Sequence, residues 1–207
     1  MIRVAISVEG QTEEAFVKKV LGPHLGYCSV YAFPILVRPR GGNVTLDRLA
    51  NDMARNYGNF DRVTSLVDFY GFGGKERQTV DELETSIANA IAARIHTNWD
   101  ASRVIPYVQK HEFEALLFSN VASFCMLIGV SDPIIQLLQG IRGEFASPED
   151  IDDSPQMAPS KRIKNLIPRY SKVVDGPDLA QKIGLEAIRG VCPRFDSWLQ
   201  RLEGLDR

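Results

Sequence analysis

The fold is decided by the stretch Ile2-Arg3-Val4-Ala5-Ile6-Ser7-Val8-Glu9-Gly10-Gln11-Thr12-Glu13-Glu14. Its first half is a β-branched run, which is typical of a buried strand. Gly10 would close that strand in a tight turn, and Thr12 would cap the helix that follows. The strand, turn and helix leave Glu9 at the carboxyl end of the strand, where open α/β sheets bind ligands. The alternative is that Glu9 is a solvated loop residue or caps a neighbouring amide.

The next hundred residues repeat this alternation of strand and helix. Gly22-Pro23 predicts a turn after the first helix. Strands are predicted over residues 29–38, 63–71 and 103–109, helices over residues 45–57 and 81–96, and a helical pattern over residues 111–118. Pro34 places the strand over residues 29–38 at an edge of the sheet or at a bulge. The sequence therefore predicts an α/β fold, with a mostly parallel central sheet of about four strands and helices on both faces.

Beyond Asn120 no further strand pattern follows, and the remaining chain carries helical spacing of apolar residues. We expect an α/β domain over residues 1–120. A C-terminal helical subdomain over residues 121–207 is expected to pack on it as an extension, not as an independent domain.

Composition excludes some classes of protein. The chain has 207 residues and a net charge of −2, so it carries no overall basic footprint for nucleic acid, although a local basic patch remains open. No apolar run is long enough to span a bilayer, and the N-terminal sequence lacks a secretory pattern. The three cysteines are far apart and show neither metal-ligand spacing nor a disulfide framework. We therefore expect a cytoplasmic protein without a membrane association.

Acidic residues follow the predicted strands. Glu9, Asp68 and the pair Glu112 and Glu114 each come soon after a strand, and parallel strands bring their carboxyl ends to one edge. Carboxylates held close together repel each other unless protons or a cation compensate, and hard oxygen ligands suit Mg²⁺ or Mn²⁺. We predict that all four are catalytic candidates, with Glu9, Asp68 and Glu112 as metal ligands. Glu9 could alternatively act as the general base, and each acid taken alone could be a surface or capping residue.

The spacing of Glu112 and Glu114 leaves their roles open. On an α-helix their side chains point about 200° apart, so both can face one metal ion only if the segment is extended. Otherwise one of them binds metal while the other caps a helix or pairs with an arginine or lysine. His111 could act as a base, but a hydrogen-bonded structural histidine is favoured.

Basic residues could hold phosphate beside these acids. The candidates are Lys161, Arg162, Lys75 and Arg40, the last of them in a glycine-rich turn where the backbone could approach an anion. The basic stretch that begins at Lys161 and Arg162 continues with Lys164, Arg169 and Lys172, and it too could converge on the acidic edge. The alternative for each is a solvated surface residue. Tyr70 could stack on an unpaired base.

Four stretches carry a family resemblance. Residues 8–13 resemble the first motif of the Toprim superfamily, which includes topoisomerase and primase domains and nuclease domains. Together with residues 66–71, 106–117 and 159–163, they look like a prokaryotic Toprim-like family of unknown function, numbered 4276 among the domains of unknown function. The resemblance runs nearly from end to end of the chain.

The resemblance implies a metal-dependent nuclease or phosphodiesterase acting on DNA or RNA, with Mg²⁺ or Mn²⁺ as cofactor. It also implies a setting in phage defence beside an ATPase partner. The sequence departs from the Toprim pattern at the second motif, Asp-x-Asp, because Asp68 is followed by Phe69 and then Tyr70. This leaves the number of metal ions open. The alternative is a non-catalytic regulatory or sensor subunit that binds an ATPase partner or a nucleotide.

Overall fold

A computed structural model describes residues 1–37, 43–75, 77–128, 130–152 and 157–206 of the chain. Five strands form one parallel sheet in the order β2-β1-β3-β4, with β5 also paired to β3. The strands are β1 (Ile2–Val8), β2 (Val30–Leu36), β3 (Arg62–Asp68), β4 (Val104–Ile105) and β5 (Val108–Gln109). The predicted α/β class and parallel sheet are confirmed.

The fourth predicted strand is divided into β4 and β5, which keep the same register against β3. The sequence reading missed this interruption, which falls at Pro106 and Tyr107. Here the hydroxyl of Ser65 donates to the carbonyl of Tyr107 at 2.9 Å and accepts from its N–H at 3.1 Å. A side chain thus supplies the hydrogen bonds that a continuous ladder would have made, which keeps these buried backbone groups paired.

The strand β2 lies at the edge of the sheet, as Pro34 predicts. The N–H of Val37 donates to the carbonyl of Val8 at 3.0 Å. The backbone N–H groups of every second residue of β2, counted back from Val37, therefore point toward β1. The nitrogen of Pro34 therefore points outward, where its missing N–H costs no ladder hydrogen bond.

The first helix departs from the sequence prediction at both ends. The helix α1 (Gln11–Phe16) continues through a π-helical turn (Val17–Leu21) into α2 (Gly22–Gly26), so the expected turn at Gly22-Pro23 is wrong. Pro23 is the second residue of α2 and directly follows the change from π-helical to α-helical geometry. The N-cap is Gly10 and not Thr12, because the carboxylate of Glu13 accepts the N–H of Gly10 at 2.9 Å.

The other helices follow the predicted alternation and then fill the C-terminal half. They are α3 (Leu46–Tyr57), α4 (Val80–Ala92), α5 (Ser123–Ile128), α6 (Asp132–Gly143), α7 (Pro159–Leu166), α8 (Lys172–Ile183), α9 (Leu185–Val191) and α10 (Pro193–Glu203). The helical pattern predicted over residues 111–118 is a 3₁₀ helix (Phe113–Asn120) instead of an α-helix. The side chain of Thr79 caps α4 in a reciprocal pair with Glu82, which explains where α4 begins.

Helices cover both faces of the sheet. One core cluster joins the sheet to α3 and α4, and the other joins it to α1, α2 and the C-terminal helices. Trp198 of α10 stacks on Tyr107 with ring centroids 4.5 Å apart, and its indole N–H donates to Thr64 at 2.9 Å. The C-terminal helices therefore complete the core of the sheet, while a domain division at residue 120 stays a prediction. Among the helices in the described ranges, none is long and apolar enough to cross a membrane.

Candidate functional site

Glu9 and Asp68 lie side by side at the carboxyl edge of the sheet. Glu9 directly follows β1 and Asp68 is the last residue of the neighbouring strand β3. The chain leaves these two strands toward opposite sides, to β2 on one side and to β4 on the other. This is the switch point where open α/β sheets form their ligand crevice. The backbone N–H of Asp68 donates to Oε2 of Glu9 at 3.3 Å. The structure thus brings together the two acids that strand ends alone predicted to be close.

The carboxylate of Glu9 is backed by a glycine. A Cβ atom at Gly71 would lie 2.6 Å from Oε1 of Glu9, so only glycine fits there with this placement of the side chain. Lys75 lies nearby, where its ammonium group donates to the carbonyl oxygens of Phe69 and, at 2.8 Å, of Tyr70. Burial lowers the pKa of Lys75, and the negative charge of Glu9 partly offsets that effect. This predicted phosphate ligand is therefore near Glu9.

Each of the two acids keeps one oxygen available. Oδ1 of Asp68 accepts the N–H of Phe113 at 2.8 Å. Within the described ranges, Oε1 of Glu9 and Oδ2 of Asp68 have no hydrogen-bond partner. Burial raises the pKa of Glu9 and holds the pKa of Asp68 well above its usual range, and the charges of neighbouring glutamates add to the Asp68 effect. Both carboxylates therefore lack enough positive charge to stabilise their ionised forms.

Glu13 is a third acid of the site, and the sequence reading missed it. Its side chain is only 6% exposed, and burial, followed by the negative charges of Glu9 and Glu114, raises its pKa to about 7. Its carboxylate also accepts the N–H of Gly10 at 2.9 Å and so caps α1. The signal that could have found it is its position in the first turn of α1, the helix that begins directly after Glu9 and Gly10.

Glu112 and Glu114 converge on Lys172. Oε1 of Glu112 and Oε2 of Glu114 lie 3.4 Å and 3.1 Å from the Lys172 ammonium nitrogen. Both can reach one cation because Glu112 has an extended backbone, with φ −141° and ψ 157°, and the 3₁₀ helix begins after it. Burial disfavours the charged form of Lys172, but the negative charges of Glu114, Glu112 and Asp68 outweigh this effect and raise the pKa of the lysine. Lys172 belongs to the basic stretch that the sequence offered as a set of phosphate ligands, and in the structure it reaches the acidic edge but pairs with two carboxylates.

The same two glutamates are held by other groups as well. Oε2 of Glu112 accepts the N–H of Ser160 at 2.9 Å, which brings the N-terminus of α7 to the site. Glu114 is 1% exposed, and Tyr170 donates to its Oε1 at 3.4 Å. Burial raises the pKa of Glu114, with Lys172 acting in the opposite direction.

The imidazole of His111 lies beside the carboxylate of Asp152. Its Nδ1 lies 3.1 Å from Oδ2 of Asp152, and the hydroxyl of Tyr70 donates to the other oxygen of Asp152 at 2.6 Å. Burial lowers the pKa of His111. Its backbone is left-handed, with φ 66°, an uncommon conformation for a residue with a side chain. The hydroxyl of Tyr70 is thus engaged with Asp152.

The predicted phosphate ligands are not all at the site. Lys161 is exposed on α7, next to Ser160. Arg162 departs from the expectation, since it is 6% exposed, donates to the carbonyl of Met157 at 2.7 Å and lies over the ring of Phe145. Its guanidinium group is used inside the protein. Arg40 and its glycine-rich turn lie outside the described residues.

The donor set fits one kind of metal ion site. No group of three or more His, Cys, Asp or Glu in the described part of the chain is placed to hold a metal ion. Magnesium, however, is usually held by one or two carboxylates together with waters and substrate phosphates. Glu9 and Asp68, with one available oxygen each, match that arrangement. Glu112 does not, because its two oxygens already bind Lys172 and Ser160.

The fold and the site define an α/β protein with a cluster of buried acids at the switch point of a parallel sheet. The chain belongs to the family described as domain of unknown function (DUF4276), whose sequence profile matches residues 8–203. No curated protein and no solved structure matches the chain significantly. The resemblance to this family is thus confirmed over nearly the whole chain.

Proposed function

We propose that the protein is a Toprim-like phosphodiesterase, a nuclease that uses Mg²⁺ or Mn²⁺ to cleave DNA or RNA. The observation that carries the proposal is the pair Glu9 and Asp68 at the switch point, each with one available carboxylate oxygen. The positions after β1 and β3 are those of the first two Toprim motifs in the resemblance. The raised pKa of both carboxyls supports a cation as their natural partner.

The chain's own groups would divide the work at this edge. A bound Mg²⁺ supplies Lewis-acid activation of the phosphodiester and of water. Glu9 and Asp68 would hold it, and Gly71 fixes the position of the Glu9 carboxylate. Lys161, exposed beside the N-terminus of α7, would bind a backbone phosphate of the nucleic acid.

The setting of this activity follows from the family resemblance. Members of the Toprim-like family that the chain resembles often lie beside genes for ATPases in phage-defence neighbourhoods. We therefore propose a cytoplasmic defence nuclease with an ATPase partner. The ATPase would control access of the nuclease to nucleic acid.

Hydrolysis assays test the proposal. Labelled single-stranded and double-stranded DNA and RNA are incubated with Mg²⁺ or Mn²⁺ and the native protein, Glu9→Gln or Glu144→Gln, with and without an ATPase encoded beside it. Glu144 is exposed and far from the sheet edge in sequence, so its variant is a matched control. We expect cleavage by the native protein and by Glu144→Gln, and none by Glu9→Gln or with chelator. Cleavage that persists in Glu9→Gln would remove Glu9 from the active site.

A second candidate function is a non-catalytic regulatory or sensor subunit that binds an ATPase partner or a nucleotide. It is favoured by Tyr70 in place of a second aspartate and by the engagement of Glu112 and Glu114 with Lys172. Under this alternative none of the four substrates is cleaved. The protein instead binds the ATPase or a nucleotide, and Glu9→Gln leaves that binding unchanged.

A further inference from the structure

We propose that Lys172 is a built-in cation that takes the place of a second divalent ion, so that the acidic edge binds one such ion and not two. The inference rests on the proposed function only for the first ion, at Glu9 and Asp68. The role of Lys172 itself follows from the contacts of its ammonium group.

The geometry around Lys172 is that of an occupied cation position. Two carboxylates from one short segment, Glu112 and Glu114, point one oxygen each at the same ammonium nitrogen, at 3.4 Å and 3.1 Å. Glu114 is 1% exposed and could not remain ionised there without a positive partner. The chain supplies that partner from its own sequence.

The charge count at the edge supports the same conclusion. The acids that meet there are Glu9, Glu13, Asp68, Glu112 and Glu114, and the charge of Lys172 acts on Glu9, Asp68 and Glu114. Lys75 adds a second positive charge near Glu9. Two ammonium groups do not balance five acids, which leaves room for one further cation at the available oxygens of Glu9 and Asp68. A second divalent ion at Glu112 and Glu114 would have to displace an ammonium group that already lies there, because like charges at such a distance repel.

The position of Lys172 is fixed by close helix packing. Lys172 is the first residue of α8, and four residues later Gly176 packs against the site. A Cβ atom at Gly176 would lie 3.1 Å from the Tyr170 hydroxyl, 3.4 Å from Phe113 and 3.5 Å from Thr12. The start of α8 is therefore held against α1 and the 3₁₀ helix, which places the lysine without help from a ligand.

The side chain that could have ligated a second ion is turned elsewhere. Tyr70 stands where the Toprim pattern has its second aspartate, and its hydroxyl donates to Asp152 at 2.6 Å. The loss of one acidic ligand and the presence of one internal cation at the same edge are complementary changes.

Counting bound Mn²⁺ tests the inference. Free Mn²⁺ is followed by electron paramagnetic resonance while it is titrated into the native protein, Lys172→Met and Lys182→Met. Methionine keeps the length of the side chain without its charge, and Lys182 is an exposed lysine in the last turn of the same helix. We expect one ion per chain for the native protein and Lys182→Met, and one additional ion for Lys172→Met.

The outcomes separate this inference from the proposed function. An equal number of ions in Lys172→Met and the native protein, or two ions in the native protein, would overturn it. A third outcome is that the native protein binds no ion and Lys172→Met binds one. This outcome would support the role of Lys172 and would contradict the metal site at Glu9 and Asp68.

A variant that does not fold without metal still gives an answer. Circular dichroism then follows Lys172→Met on addition of Mn²⁺ or of NaCl at equal ionic strength. We expect Mn²⁺ alone to restore the helical signal, because a divalent ion can replace the missing ammonium group. Failure of Mn²⁺ to do better than NaCl would overturn the inference.

Discussion

Two pairs of acids lie at one edge of the sheet, and the protein treats them in opposite ways. Glu9 and Asp68 each accept one backbone N–H and keep one oxygen without a partner in the described structure. Glu112 and Glu114 share the ammonium group of Lys172. An acidic residue after a strand therefore does not by itself mark a ligand site. The pair that the protein leaves without a cation is the pair that we expect to bind one.

Removing the internal cation is expected to have the largest effect. Lys172→Met leaves the buried carboxylate of Glu114 without its partner, and breaking a buried pair of this kind costs about 3 kcal/mol or more. We expect a loss near the lower end of this range, because the Lys172 side chain is 36% exposed and its charge is partly screened by solvent. Urea unfolding in chelator measures this loss. Lys182→Met should change the stability by less than about 0.5 kcal/mol, and an equal loss in both variants would contradict the pairing.

Crowding the other pair is expected to have the next largest effect. In Gly71→Ala the new methyl group would lie 2.6 Å from Oε1 of Glu9, so the carboxylate must move. The carboxylate is the far end of a flexible side chain, so we expect little loss of stability, but the displaced Glu9 should lose the rise in melting temperature caused by Mn²⁺. Gly58→Ala is the matched control, since an added Cβ atom there meets nothing within 4 Å. A normal Mn²⁺ response in Gly71→Ala would show that the ion is not at Glu9.

The surplus of negative charge should appear as a dependence of stability on pH. Glu13 has a pKa of about 7 in the folded protein and an ordinary value of 4.5, so between these values the folded state holds more protons than the unfolded state. Its contribution to stability is fully present below about pH 4.5 and is lost as the pH rises through 7. We expect a loss on the order of 1–2 kcal/mol over this range in chelator, after allowance for its coupling to Glu9.

Urea unfolding at several pH values measures this loss. Glu13→Gln should flatten the curve, whereas Glu144→Gln should keep its slope. An unchanged curve in Glu13→Gln would place the surplus charge on other groups.

The smallest expected effect concerns nucleic acid. Lys161 is exposed next to Ser160, whose N–H binds Glu112, so it lies beside the acids, whereas Lys164 is exposed in the last turn of the same helix. Lys161→Ala should lower the slope of log affinity against log salt concentration by roughly one unit, and Lys164→Ala should leave it unchanged. Binding curves at several salt concentrations distinguish the two. Equal slopes for both variants would argue against a phosphate contact at Lys161.

The sequence predicts the part of the site that depends on strand ends. The β-branched runs before Glu9 and Asp68 predict neighbouring strands, and a parallel sheet then brings the two acids together. It could not predict that Lys172 pairs with Glu112 and Glu114 instead of with phosphate, because that contact depends on the packing of a distant helix. Nor could it show that Arg162 turns inward, because a basic residue near a helix start has the same pattern whether it faces solvent or Phe145.

The sequence pattern also failed to predict two local backbone conformations. Gly22-Pro23 has the composition of a turn, but the π-helical turn before it lets the helix continue. The apolar spacing after His111 suits an α-helix, yet the chain stays extended at Glu112 and then forms a 3₁₀ helix. That difference allows Glu112 and Glu114 to share one cation.

We expect one divalent ion to bind between Glu9 and Asp68 while Lys172 holds Glu112 and Glu114. Anomalous diffraction from a crystal soaked in Mn²⁺ tests it most directly, because the signal locates the ion among the four carboxylates. We predict a single peak within coordination distance of Oε1 of Glu9 and Oδ2 of Asp68. A peak at Glu112 and Glu114 with Lys172 displaced would contradict this expectation. A fully occupied Mn²⁺ peak elsewhere, with none at Glu9, would contradict it as well.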